Sequence, residues 1–341
     1  MKSEELEKEL KDEKLNYIYL LYGEETFLLD TAVKKIKKLF GERITGINYI
    51  ELDEENIGSL MQELQTPSFG YPKKMIVVKN SGLFKKETKK RGASSIKDTR
   101  DELEKYLKEN VEYIKENLVL IFIEDSVEKL NITKTVETIG GIVCEFELQK
   151  PIMIEKRLAA ICNAYKVKAE QGAISFLIET SGISMQELIN EIRKLIEYVG
   201  ENGTITRQDV EKLAIKSLDS NIFDLTDNLG KKNIKTSLQM LNDLLYLKEP
   251  IQKILITLYN HFKKLYIVKL SEKYHKDLAT AMNLKPNQAF LLNKYKTQAK
   301  YFTEEDIRSI LDEMIKLDSN YKIGLIDINI GLEAILCRYC S

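Results

Sequence analysis

The hydrophobic pattern of this chain changes once, near Pro151, and that change limits the fold more than any other feature. Before it, short apolar runs recur at Tyr17–Tyr22 (YIYLLY), Ile47–Leu52 (INYIEL), Met75–Lys79 (MIVVK), Leu118–Ile123 (LVLIFI) and Ile142–Phe146 (IVCEF). Each has the length and bulk of a buried strand. Continuous apolar runs such as LVLIFI suit strands covered on both faces. Amphipathic stretches separate them. Thr26–Phe40 gathers Phe27, Leu28, Val33, Ile36 and Leu39 on roughly one face, and Glu54–Leu64 makes a second helix. Strands alternating with helices predict a mostly parallel, doubly wound sheet. The polar, basic insert Lys85–Arg100 reads as a loop feeding a helix over Asp101–Leu107.

After Pro151 no convincing strand is seen. Helices are expected over Ile154–Tyr165, Glu170–Thr180, Met185–Val199 and Arg207–Ala214, forming a small helical block. A third block begins near Ser217. Its helices are expected at Asn221–Leu229, Ile234–Leu245, Ile251–Leu270, Lys276–Met282, Pro286–Ala299, Glu304–Leu317 and Ile326–Cys337. Pro250 and Pro286 fit first-turn positions, and Thr303 fits an N-cap with Asp306 three residues on. The expected plan is an α/β domain over 1–150, a small helical domain over 151–216 and a helical domain over 217–341.

Composition removes several classes of function. Hydrophobic residues make up 43% of the 341, enough for a real core. The 52 basic and 53 acidic residues nearly cancel, so overall charge does not hold this chain on nucleic acid. The cysteines are Cys144, Cys162, Cys337 and Cys340, and the only histidines are His261 and His275. They offer no four-ligand metal set. Cys337 and Cys340 end a helix-like segment, which suits incidental thiols better than a redox pair. The N-terminus is charged and lacks an apolar signal segment, and no run is long enough to span a bilayer. A reducing, cytoplasmic setting is expected, with no membrane partner.

An α/β domain followed by a small helical one suggests the AAA+ ATPase architecture. That architecture demands a G-x-x-x-x-G-K-[ST] loop after the first strand. The first strand leads instead into Tyr22-Gly23-Glu24-Glu25-Thr26-Phe27, with no lysine and with two carboxylates where phosphates would sit. Those carboxylates would repel a triphosphate. Glu124-Asp125 ends the fourth strand like the acidic pair that holds Mg²⁺ in such ATPases, but in reversed order; a strand-end pair capping the next turn is the better reading. No G-x-S-x-G, H-E-x-x-H or G-x-G-x-x-G is present. His261, among Leu258, Phe262 and Leu265, reads as a packing histidine. No catalytic, cofactor-binding or metal-binding residue is expected. Two rival readings stand beside this one. One is a Mg-dependent α/β nucleotide or phosphate hydrolase using Glu24, Asp30, Glu124 and Asp125. The other is a general DNA-binding scaffold led by the 85–100 insert.

Three segments carry a family resemblance. Tyr19-Leu20-Leu21-Tyr22-Gly23-Glu24-Glu25-Thr26-Phe27-Leu28 is similar to the opening of the delta subunits of bacterial DNA polymerase III clamp loaders. Leu64-Gln65-Thr66-Pro67-Ser68-Phe69-Gly70-Tyr71-Pro72-Lys73-Lys74-Met75-Ile76-Val77-Val78-Lys79 resembles the family's helix end, apolar turn, basic pair and Val-rich strand. Asn221-Ile222-Phe223-Asp224-Leu225-Thr226-Asp227 resembles the opening of its C-terminal domain. Gln298–Thr303 and Asp318–Gly324 echo its final helices. The matches run in order along nearly the whole chain.

The resemblance implies an AAA+-like α/β domain with a degenerate phosphate loop, a helical lid and an all-α collar. It implies a non-catalytic accessory subunit of the replicative polymerase holoenzyme, one that binds and opens the sliding clamp for loading onto primed DNA. Its partners would be the clamp (beta) and loader subunits of the gamma/tau and delta-prime types. ATP and Mg would act on those partners, with no cofactor on this chain. The clamp-binding residues carried over are Thr66, Pro67, Phe69, Gly70 and Tyr71. Gly70 separates the two aromatics where many members carry adjacent large apolar residues, so either Phe69 or Tyr71 can fill the deeper pocket. Tyr321, Lys322, Lys263 and Lys264 are candidates for DNA contact, since a tyrosine near Tyr321 in the family lies close to the primer–template junction and could stack on a base; a solvated basic face with a packed tyrosine is the alternative reading.

Overall fold

Alternation of side chains within each apolar run decides how the first 148 residues fold. In the computed structural model, which describes residues 1–86, 93–274, 278–282, 284 and 291–340, five strands form one parallel sheet. They are β1 (Ile18–Tyr22), β2 (Tyr49–Leu52), β3 (Lys74–Lys79), β4 (Leu118–Glu124) and β5 (Ile142–Glu145), in the order β2-β3-β4-β1-β5. Successive side chains point to opposite faces. Ile18, Leu20, Ile76, Val78, Leu118, Leu120 and Phe122 enter one core; Tyr19, Leu21, Met75, Val77, Val119 and Ile121 enter the other. Two buried faces are why these runs are apolar throughout.

Helices cover both faces. Helices α1 (Ser3–Lys11) and α2 (Thr26–Phe40) bury Leu6, Leu10, Leu28, Val33 and Ile36 on the second face. On the first lie α3 (Leu60–Gln65), α4 (Ala93–Glu109), α5 (Val111–Asn117) and α6 (Asn131–Thr138), contributing Leu60, Leu64, Leu103, Leu107, Ile114, Ile132 and Val136. The expected strands and α2 are all present. The helix expected over Glu54–Leu64 is a 3-10 turn, Ile57–Ser59, followed by α3. The insert over 85–100 differs from expectation: residues 87–92 lie outside the described residues, and from Ala93 the chain is already helical. The reason is visible at Arg100, which donates to Leu83 O (2.6 Å) and Lys85 O (2.6 Å) and ties α4 to the loop after β3. A polar sequence thereby gains a docked helix.

Residues 149–341 form a second unit, with both helical blocks inside it. The first block comprises α7 (Pro151–Ala164), α8 (Ala173–Ser181), α9 (Met185–Val199) and α10 (Arg207–Leu213). It also holds two strands that were not expected, β6 (Lys168–Ala169) and β7 (Thr204–Ile205), paired in parallel. Two-residue strands carry no readable period. Their pairing rests on flanking bonds such as Asn202 N–H to Lys166 O (3.0 Å) and Glu170 N–H to Ile205 O (2.9 Å).

The second block has α11 (Leu218–Gly230), α12 (Ile234–Tyr246), α13 (Ile251–Tyr274), α14 (Leu278–Ala281), α15 (Leu291–Ala299), α16 (Glu304–Lys322) and α17 (Ile328–Cys340). Helix α13 runs through its core, burying Ile254, Leu258, Phe262, Leu265 and Val268 against Ile222, Leu241, Ile310, Met314 and Leu332. Pro250 precedes α13 by one residue, its carbonyl accepting from Ile254 N–H (3.1 Å), the N-cap rather than a first-turn position. Pro286 and His275, and parts of the helices expected over Lys276–Met282 and Pro286–Ala299, lie outside the described residues. Thr303 and Asp306 form a reciprocal capping box (3.0 and 2.9 Å). Among the described residues no helix is long and apolar enough to cross a membrane.

Candidate functional site

All strands of a parallel sheet end at one edge, where open α/β folds place ligands. Here that edge carries Gly23 after β1, Ser81 after β3, Glu124 at the end of β4 and Phe146 after β5. Gly23 has φ +127°, and a Cβ on it would lie 2.4 Å from the Phe146 carbonyl oxygen. The loop therefore presses onto Phe146, whose carbonyl accepts from Glu25 N–H (2.9 Å) and whose N–H donates to Tyr22 O (2.7 Å). An amide that a phosphate loop would offer to a ligand is bonded inward instead.

Glu124 is only 2% exposed and accepts from Ser81 N–H (2.9 Å) and Ser81 Oγ (2.5 Å). Burial raises its pKa, with the Ser81 bonds opposing. It holds the loop after the neighbouring strand, rather than the turn that follows it. Asp125 is exposed, as are Glu24 and Asp30. Among the described residues no three His, Cys, Asp or Glu side chains gather closely enough to hold a metal ion. His261 is buried against Phe223 (centroids 4.5 Å) and Tyr295, bonded to Gln298 Oε1 (2.8 Å), and burial lowers its pKa to about 4.

The opposite edge, where strands begin, carries the segment between α3 and β3. Helix α3 must stop at Gln65 because Pro67 disfavours helical geometry in the residue before it, and Thr66 is extended (φ −85°, ψ 122°). Its last carbonyls are satisfied in sequence. Gln62 O accepts from Thr66 N–H (3.0 Å) and Thr66 Oγ1 (2.8 Å), Glu63 O from Lys74 Nζ (2.9 Å), and Leu64 O from the Tyr106 hydroxyl (3.1 Å). Ser68 to Tyr71 then closes a tight turn. Tyr71 N–H donates to Ser68 O (3.3 Å), and Ser68 Oγ donates to Tyr71 O (2.8 Å). Gly70, at φ +80° with open space where a Cβ would be, supplies the positive φ that a type II turn needs in its third residue.

Phe69 at the corner is 75% exposed, while Tyr71 is half-buried. The five residues Thr66, Pro67, Phe69, Gly70 and Tyr71 thus lie on one turn with Ser68, and only one of the two aromatics projects fully. Missed at the level of sequence was the role of Lys74, which that reading leaves as half of a basic pair. It is 2% exposed and pairs with Glu63 Oε2 at 2.6 Å.

The four residues singled out for DNA contact do not come together. Gln252 Nε2 donates to the Tyr321 hydroxyl (2.8 Å), placing Tyr321 beside the start of α13, and Lys322 pairs with Asp318 (2.6 Å). Lys263 and Lys264 lie along α13 about 17–18 Å from Gln252, at 1.5 Å rise per residue. Lys264 stands over the Tyr295 ring at 5.5 Å, beside a cavity of about 380 Å³ lined also by Glu179, Ser220 and Lys294.

Comparison with known proteins agrees along the chain. Residues 19–146 match the family model for the DNA polymerase III delta subunit, and 219–339 match the model for the C-terminal domain of the same subunit. The chain is 29% identical over 318 residues to a "Probable DNA polymerase III subunit delta" of Aquifex aeolicus, covering 90% of this chain and 86% of that one. It is 26% identical over 335 residues to the DNA polymerase III subunit delta of Bacillus subtilis, covering 97% and 95%. In fold it is similar to a solved Bacillus subtilis DNA clamp loader delta protein, with a TM-score of 0.70, 23% identity and 99% of both chains covered. The two family models between them span most of both units, and on that evidence the chain belongs to the delta-subunit family of DNA polymerase III.

Proposed function

We propose that this chain is a non-catalytic clamp-loader subunit that binds the ring-shaped sliding clamp through the 66–71 turn and opens it for loading onto primed DNA. The observation that carries this is Phe69, an aromatic side chain 75% exposed on a turn whose backbone is already bonded. Large apolar side chains presented this way suit the centre of an interface, where a few aromatics dominate affinity. The closed turn loses little further freedom on docking. An apolar clamp pocket that accepts Phe69, with Tyr71 beside it, opens the ring only if it binds better in the open or strained state.

ATP and Mg would act on partner subunits of the gamma/tau and delta-prime types. The inward-bonded Gly23–Thr26 loop and the Glu124–Ser81 pair support that division of labour. Residues 151–216 would serve as a lid and 217–341 as a collar that joins the other loader subunits, within a cytoplasmic replication complex. Tyr321 and Lys322 are the DNA-facing residues that remain adjacent, though each already has an internal partner; Lys263 and Lys264 would have to act separately.

The test is release of a cognate clamp from nicked circular DNA by the purified chain without ATP. Wild type is expected to unload the clamp, and Phe69→Ala/Tyr71→Ala, folded by circular dichroism, to lose this. Equal unloading by both chains would refute the turn as the contact. No unloading by either would refute clamp opening.

A further inference from the structure

A buried lysine is rare because its ammonium must recover in the protein what it loses from water. Lys74, the first residue of β3, recovers it within one short segment. Its Nζ donates to Glu63 Oε2 (2.6 Å), Glu63 O (2.9 Å) and Thr66 O (3.3 Å). These use all three donors of the ammonium. Two of the acceptors belong to the end of α3, and the third is the carbonyl of Thr66, where the exposed loop starts. Lys74 itself stands where that loop ends. One side chain therefore closes the loop's entry onto its exit, and a cation at a helix C-terminus is favoured there besides.

Two further anchors surround it. The Tyr106 hydroxyl donates to Leu64 O (3.1 Å), fixing the end of α3 to α4, and Lys73 Nζ donates to Lys115 O (2.7 Å), fixing the last loop residue to the end of α5. Thr66 bonds back to Gln62 O, and Ser68 and Tyr71 bond each other, which closes the turn on itself without tying its tip to the rest of the unit. Pro67 and Gly70 bring no side-chain donor, and Phe69 is mostly in solvent.

We infer that Lys74, assisted by Tyr106, is a positioning residue for clamp binding: it locks the 66–73 loop against the end of α3 and so sets where Phe69 stands. This rests on the reading of that turn as the clamp contact. An apolar residue at position 74 would fill the space without selecting one loop geometry. The ammonium selects it, because only one placement of Thr66 and Glu63 satisfies all three of its bonds. Holding the aromatic in its bound position beforehand spares the ordering cost on association.

The experiment uses the full chain in three variants, Lys74→Met, Tyr106→Phe and Phe69→Ala. Two readouts are taken. One is the rate of chymotryptic cleavage after Phe69, identified by fragment mass; the other is affinity for a cognate sliding clamp. Thermal unfolding checks that the fold persists. Lys74→Met is expected to raise cleavage after Phe69 by on the order of tenfold, equivalent to about 1.4 kcal/mol of lost loop closure, and to weaken clamp binding by a similar factor. Tyr106→Phe keeps its ring in place and removes one anchor, so it is expected to give a smaller rise of the same sign; it keeps the test alive if Lys74→Met does not fold. Unchanged cleavage in both variants overturns the inference. So does raised cleavage with unchanged clamp affinity in Lys74→Met. Phe69→Ala separates the underlying reading: if it binds the clamp as wild type does, the turn is not the contact and a positioning role for Lys74 falls with it, whatever the cleavage rates.

Discussion

Truncating Phe69 tests the proposed contact most directly, because the structure sets its size. An aromatic side chain buries on the order of 150–250 Å² when fully covered. With Phe69 three-quarters exposed, about 130 Å² remains to be buried on binding, taking an intermediate value in that range. At ~25 cal/mol per Å² this is about 3 kcal/mol, or ~10²-fold in affinity. Tyr71 is already half-buried in the free chain and has less left to gain, so Tyr71→Ala is expected to cost about tenfold or less by the same arithmetic. Stability should hardly move. Removing an exposed side chain changes folding free energy by within about 0.5 kcal/mol, so Phe69→Ala should unfold at the wild-type temperature. Surface plasmon resonance against a cognate clamp, with thermal unfolding of each variant, measures both quantities. Clamp affinity of Phe69→Ala within twofold of wild type would refute the reasoning. So would a large drop in its unfolding temperature, which would mean that the ring packs against its own protein.

Three further outcomes follow from the interior. Gly23→Ala should destabilise the α/β unit by about 3 kcal/mol or more, because the new Cβ meets the Phe146 carbonyl at 2.4 Å on a backbone already at positive φ; urea unfolding reads this. Glu124→Gln keeps an acceptor for Ser81 and removes a buried charge whose pKa is raised. It should therefore be neutral or stabilising at pH 7, with that advantage shrinking as pH falls and the wild-type carboxyl takes up its proton; unfolding at pH 7 and pH 4 measures it, whereas the hydrolase reading predicts loss of an activity. His261 has its pKa lowered to about 4 against an unfolded value near 6.5. Its contribution is present above pH 6.5 and lost as pH falls toward 4, by up to about 3 kcal/mol. The unfolding free energy of His261→Asn should fall less steeply over that window, and an unchanged slope would contradict the assignment.

The sequence alone was sufficient for whatever repeats over several residues. Apolar runs marked the five long strands, and the periods of α2, α9 and α12 placed helices that the structure keeps almost residue for residue. Thr303 and Asp306 announced their capping box by spacing. The resemblance of Tyr19–Leu28, Leu64–Lys79 and Asn221–Asp227 pointed to the family, and the absence of a phosphate-loop lysine was plain from the letters. Tertiary structure decided what depends on partners distant in sequence. The strands β6 and β7 are too short to carry a period and exist only through each other. Residues 93–100 are polar by composition, and they are helical where Arg100 reaches the carbonyls after β3. Which aromatic projects was open until the Ser68–Tyr71 turn closed, leaving Phe69 at its corner and Tyr71 partly covered. Lys74 is read from the letters only as half of a basic pair, and lysine is usually a surface residue. It lies inside because Glu63 and Thr66 bring three acceptors to one point, and only the folded chain brings them there.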